Sequence, residues 1–165
     1  MDSTIIAALL AFLTAVLLAL WNSSLARKAE VDKELRSAVA ELTKHMASGV
    51  QAMSWLTWNA KNNSDGITDE DISQYNETIS MVYNELVGFR VVVAALSKRI
   101  HQNMTPLVRK LYTLDSQISK AAILFKSSPE DGIKALASFN DDISKFDHEL
   151  LEAVTGLILS EKTKK

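Results

Sequence analysis

The chain has 165 residues, enough for a single hydrophobic core, and its 5 Gly and 2 Pro leave few places for turns. It contains no cysteine, which excludes a disulfide framework and thiolate metal sites. A net charge of −2 selects no class of partner, although the charges are unevenly spread.

Thr4 to Trp21, TIIAALLAFLTAVLLALW, is an uncharged apolar run. As a helix it would span about 27 Å, just enough for a hydrocarbon core of about 30 Å. Only Met1, Asp2 and Ser3 precede the run, whereas Arg27 and Lys28 follow it. The positive flank is C-terminal, so residues 1–24 are predicted to be an N-out transmembrane anchor and residues 25–165 cytoplasmic, at the inner face of the cell membrane. A cleaved signal peptide is the rival reading: it lacks the usual basic leader, but Ser24-Leu25-Ala26 would pass as a cleavage site. Within the span, Ala7, Ala11, Ala15 and Ala19 recur every fourth position. Such spacing lets helix backbones approach closely, so this face is a candidate for self-association, and its null is that alanine is common in membrane helices.

Beyond the anchor the apolar residues keep a 3-4 spacing, which marks coiled-coil or bundle packing. One series is Leu35, Val39, Leu42, Met46, Gly49, Met53, Leu56 and Ala60, and a second runs from Ile72 through Leu86 and Val93 to Ile100. Leu107 to Phe125 and Leu136 to Leu157 continue the pattern. Asn62 to Gly66 reads as a turn, and Thr68-Asp69-Glu70-Asp71 as a helix cap with acids in the first turn. Thr105-Pro106 and Ser128-Pro129 each place a hydroxyl before a proline suited to the first helical position. The predicted fold is all-α: a single transmembrane helix continuous with an antiparallel four-helix bundle, with helices near 25–61, 68–102, 106–126 and 129–160.

Folding the first hairpin about residue 64 returns residue 101 to the level of Arg27 and Lys28. No acid lies between Glu85 and Asp115, while Arg90, Lys98, Arg99, Arg109 and Lys110 do. Arg27, Lys28, Lys98, Arg99, Arg109 and Lys110 are therefore expected to form a membrane-proximal basic collar for anionic lipid headgroups. Because the third helix reads as short, residues 48–78 should protrude and expose Met53, Trp55, Trp58, Ile72 and Tyr75 as a tip interface for a cytoplasmic protein partner. The null is that the last helices cover this patch. The final helix is long enough for Val154 to Leu159 to reach the bilayer interface, with Lys162, Lys164 and Lys165 among headgroups, although an end near Gly156 fits equally.

Arg90 interrupts LVGFRVVVAAL, a run too short for a second span and followed closely by Lys98, Arg99 and His101. In the 3-4 register it flanks the helix seam, where a structural ion pair with Asp147, Glu149 or Glu152 is expected. An anion or oligomer contact and catalysis are its alternatives.

Signals for chemistry are sparse. None of His45, His101 and His148 has the Glu-x-x-His spacing of di-iron bundles, and the three are too scattered for a zinc signature. No arginine precedes a histidine at the spacing of HEPN-type RNases, and phosphate-binding glycine loops and G-x-S-x-G are absent. The basic segment 98–110 could bind nucleotide or nucleic acid, but only Tyr112 supplies an aromatic at its edge. No cofactor, metal or enzymatic activity is predicted. The preferred function is a membrane-anchored bundle that forms homo-oligomers and acts as a scaffold, adaptor or sensor. The architecture is also similar in shape, without a shared motif, to small single-span helical effectors of bacterial phage defence, which implies an oligomeric pore or membrane-perturbing protein as the alternative. A ligand-sensing bundle like that of chemoreceptors would require the opposite topology and a second span.

Overall fold

The computed structural model describes the backbone of residues 3–62 and 66–162, and the side chains of 14–62 and 66–156. Among the described residues all regular structure is helical: α1 (Ser3–Asn62), α2 (Asp69–Leu96), α3 (Lys98–Ser127), α4 (Pro129–Ser138) and α5 (Asn140–Lys162). The all-α class is observed. The chain divides into two packing units, Met1–Ser37 and Ala38–Lys165.

In the first unit, residues 14–34 of α1 are exposed throughout, including Leu17, Leu20 and Trp21. Ala15 and Ala19 are among them, whereas the side chains of Ala7 and Ala11 lie outside the described residues.

The second unit is held by the residues that the 3-4 spacing selects. Leu42, Met46, Met53, Leu56, Leu86, Leu111, Ile118, Leu136, Ile143 and Phe146 are all buried. α1 and α2 run antiparallel, as do α2 and α3. His45 of α1 stacks on Phe89 of α2 at 5.5 Å, and a Cβ on Gly49 would meet Val82. Tyr75 and Tyr83 of α2 meet Asp115 and Tyr112 of α3, and Lys110 of α3 meets Glu149 of α5.

Thr68 caps α2 as the sequence predicts. Its hydroxyl accepts from the Asp71 amide at 3.2 Å, and the Asp71 carboxylate accepts from the Thr68 amide at 2.7 Å. Three boundaries differ from expectation. α2 ends at Leu96, not near 102, because Ser97 closes it and opens α3: its amide donates to Val93 O, and its hydroxyl accepts from the Ile100 amide. α3 consequently starts at Lys98, and Pro106 sits inside it. The Gln102 carbonyl that loses its amide partner to Pro106 belongs to an exposed residue, so water can serve it, and the Thr105 hydroxyl bonds back to His101 O instead of capping. The expected last helix is interrupted at Phe139, whose amide turns back to Leu136 O in a tighter turn. Ser128 also departs from its predicted role: its hydroxyl donates to the Asp131 carboxylate and makes no side-chain cap, while Pro129 does occupy the first turn.

The longer α3 removes the predicted protrusion. Lys61, at the end of α1, is bridged to Asp141 in the first turn of α5, so α4 lies beyond the end of α1. Gly66, which precedes α2, lies against Ile133 of α4. Gly66 takes a positive φ of 74°, which favours glycine, and a Cβ there would meet Ile133. At Gly132 α3 and α4 approach so closely that a Cβ would run into the Phe125 backbone. Met53, Ile72 and Tyr75 are therefore core residues, not an exposed tip interface.

Candidate functional site

Two features of the second unit call for a functional account: a polar cluster between α2 and α3, and an apolar surface on the outside of α2.

The polar cluster begins with Tyr75, whose hydroxyl donates to Asp115 Oδ1 at 2.7 Å. One helical face further on, the Tyr83 and Tyr112 rings meet at 4.4 Å, tilted by 47°. Burial, reinforced by the Asp115 carboxylate, pushes the Tyr75 and Tyr83 hydroxyls well above the ordinary tyrosine range. Both therefore stay protonated at neutral pH, and Tyr75 serves as the donor to Asp115. The Tyr83 hydroxyl lies near the same carboxylate but is buried without a hydrogen bond of good geometry. Seven residues on, Arg90 is half-buried and its Nε also has no partner. The ion pair expected for Arg90 does not form among the described residues. Glu149 is taken by Lys110 Nζ at 2.6 Å, and Glu152 lies 3.3 Å from His148 on its own helix.

The outer side of α2 is unlike that of the other helices. Met81, Val87 and Val91 are 70%, 57% and 65% exposed, and Gly88, Ala94 and Ala95 are exposed beside them. Among the residues whose side chains are described, which leave out much of the Thr4–Trp21 run, α2 is apolar enough by length and composition to cross a membrane. Its inner side is nevertheless filled by Ile72, Tyr75, Ile79, Val82, Leu86 and Val93, all buried in the second unit. A core helix with an additional apolar outer face satisfies the same criterion.

The other predicted residues distribute as follows. Trp55 and Trp58 are exposed on the outside of α1, at 42% and 56%. Lys98 and Arg99 stand exposed in the first turn of α3, and Arg109 is exposed further along it. Lys110 is committed to α5: besides pairing with Glu149, its Nζ lies 5.5 Å from the Phe146 ring centre, within cation–π range. Arg27 and Lys28 are exposed in the first unit. Lys162, Lys164, Lys165 and the side chains of Leu157 to Leu159 lie outside the described residues. A shallow cavity of about 380 Å³ between α2 and α3, lined by Asp69, Ile72, Ser73, Asn76 and Lys126, had no signal in the sequence. Among the described residues no group of three His, Asp or Glu side chains is placed to hold a metal ion.

Comparison of the chain with known protein families, with curated proteins and with solved structures finds no match.

Proposed function

We propose that the protein is a non-enzymatic, membrane-anchored helical bundle that self-associates and serves as a scaffold, adaptor or sensor at the inner face of a cell membrane. The observation that carries this reading is the uncharged run Thr4–Trp21 followed by Arg27 and Lys28. It is supported by a well-packed second unit whose outer surface retains large apolar side chains, among them Trp55, Trp58, Met81 and Val91. Solvent-exposed tryptophans and valines add nothing to a core and are the kind of surface that a protein contact covers. Anionic headgroups are the natural neighbours of Arg27 and Lys28 beside such an anchor, and a cytoplasmic protein is the natural partner of Trp55 and Trp58.

The test is the mass of the full-length protein in lipid nanodiscs, together with membrane potential on overexpression. A small discrete oligomer with potential intact is the expected result. A large ring accompanied by collapse of the potential would replace the scaffold by the pore-forming effector. A monomer would remove self-association from the reading. Replacing Ala11 and Ala15 by leucine should reduce the oligomer, and replacing Trp55 and Trp58 by serine should abolish partner capture while leaving the helical melt intact.

A further inference from the structure

The cavity of about 380 Å³ between α2 and α3 is lined by polar side chains that the fold itself does not use. Asp69, Ser73 and Asn76 rise along one side of α2 at 4-3 spacing, with the buried Ile72 between them. Lys126 comes from the last turn of α3. The antiparallel register that sets Tyr75 beside Asp115 returns the end of α3 to the start of α2, so Lys126 stands near the level of Asp69.

Among the described residues, none of Asp69, Ser73, Asn76 and Lys126 makes a side-chain hydrogen bond or an ion pair. The capping box explains this for Asp69: Thr68 engages Asp71, and Asp69 is left uncommitted. One cavity therefore carries two opposite charges that do not meet. Elsewhere in the second unit such charges close on each other, as Lys61 does on Asp141 and Lys110 on Glu149.

Charge identifies what the cavity can hold. A simple anion would be drawn by Lys126 and repelled by Asp69, and a metal ion would meet the reverse. A small zwitterion satisfies both, with its ammonium on Asp69 and its carboxylate on Lys126. Further along α2, the Ser73 hydroxyl and the Asn76 amide can each donate and accept a hydrogen bond. Ile72 gives methylene carbons an apolar floor. The volume lies at the small end of the range for ligand sites, which suits a molecule of amino-acid size.

We propose that this cavity binds a free α-amino acid with an uncharged polar side chain. The ammonium and carboxylate of the ligand bridge Asp69 and Lys126, and its side chain lies along α2 towards Ser73 and Asn76. The inference goes beyond the membrane-anchored reading and rests on the second unit alone, so either can fail without the other.

The probe is L-glutamine, followed by saturation-transfer NMR on the full-length protein in lipid nanodiscs. A Kd of about 1 mM is expected, because the ligand is small and the site is shallow. Asp69→Asn and Lys126→Met should each weaken binding about tenfold. Both side chains are exposed, so the melting temperature should hardly move. Two analogues separate the charges: glutaramate lacks the ammonium and γ-aminobutyramide lacks the carboxylate. Each should bind about tenfold more weakly than L-glutamine. Asp69→Asn should cost glutaramate nothing further, and Lys126→Met should cost γ-aminobutyramide nothing further. Absence of saturation transfer up to about 20 mM L-glutamine would overturn the proposal. Glutaramate binding as tightly as L-glutamine would also overturn it, by reducing the site to an anion contact at Lys126. Unchanged affinity in both variants would place L-glutamine elsewhere on the protein and overturn it as well.

Discussion

The two sides of α2 are similar in composition and opposite in circumstance. The inner side carries Ile79, Val82, Leu86 and Val93, which are at most 5% exposed, and the outer side carries Met81, Val87 and Val91, each more than half exposed. Hydrophobicity alone does not distinguish them. The inner side is organised by contacts to α1 and α3: His45 stacks on Phe89, Gly49 approaches Val82 and Tyr75 reaches Asp115. Among the described residues the outer side has no such contacts, and its large apolar side chains stand in solvent. A helix that is apolar all round is normally buried on all sides. Among the described residues α2 is covered on one side only.

Truncation on the inner side should have the largest effect. Leu86→Ala removes a fully buried side chain and leaves a cavity between packed helices, so about 3 kcal/mol of stability should be lost, read as a fall of about 10 °C in a thermal melt. A loss below about 1 kcal/mol would mean that the inner face repacks freely and the contrast between the two sides is weak. Tyr75→Phe is a gentler test at the same interface. The ring still fills its place, but the Asp115 carboxylate loses its 2.7 Å donor, so a cost of about 1–2 kcal/mol is expected. Val91→Ser on the outer face should change the stability of the isolated chain by less than about 0.5 kcal/mol, because the side chain is already in solvent. If Val91→Ser destabilised the chain as much as Tyr75→Phe, the outer face would be internal packing and the contrast between the two sides would fail.

How far the sequence reveals these sides depends on what each signal measures. The 3-4 spacing identified Leu42, Met46, Met53, Leu56, Leu86 and Phe146, because each needs only the periodicity of its own helix. The same spacing concealed the break at Ser97. Leu96 and Ile100 are four residues apart and both face inward, so the apolar pattern runs straight through the turn, while Pro106 offers a stronger stop signal that the helix tolerates. From that single misplacement came the expectation of a short third helix and an exposed tip. The capping box at Thr68 was readable because its hydrogen bonds lie within four residues. The ion pair expected of Arg90 was not to be settled from the sequence: which cation takes Glu149 depends on the packing of α3 on α5, and Lys110 takes it. The outer face of α2 was missed because Val87 and Val91 sit within a continuous apolar run, where periodicity cannot separate one side from the other.

The smallest expected effect lies on the outside of the bundle, where Lys61 meets Asp141 at 3.2 Å and joins α1 to α5. A hydrogen bond from Lys61, followed by one from Asn140, holds the Asp141 carboxyl below its ordinary value. A group whose folded pKa is lowered stabilises the fold above its unfolded value of about 3.9, and that contribution disappears as pH falls through the lower folded value. Acidification from neutral pH should therefore leave this contact intact until the carboxylate range is reached. Carbon-detected titration of the Asp141 carboxyl should show its midpoint below that of an unstructured aspartate, and Lys61→Met should raise it part of the way back, the Asn140 hydrogen bond being retained. Both side chains are well exposed, so the change in melting temperature should be slight even where the titration shift is clear. A large loss of stability in Lys61→Met would place the α1–α5 contact among the buried interactions and move the boundary between the two sides of the comparison.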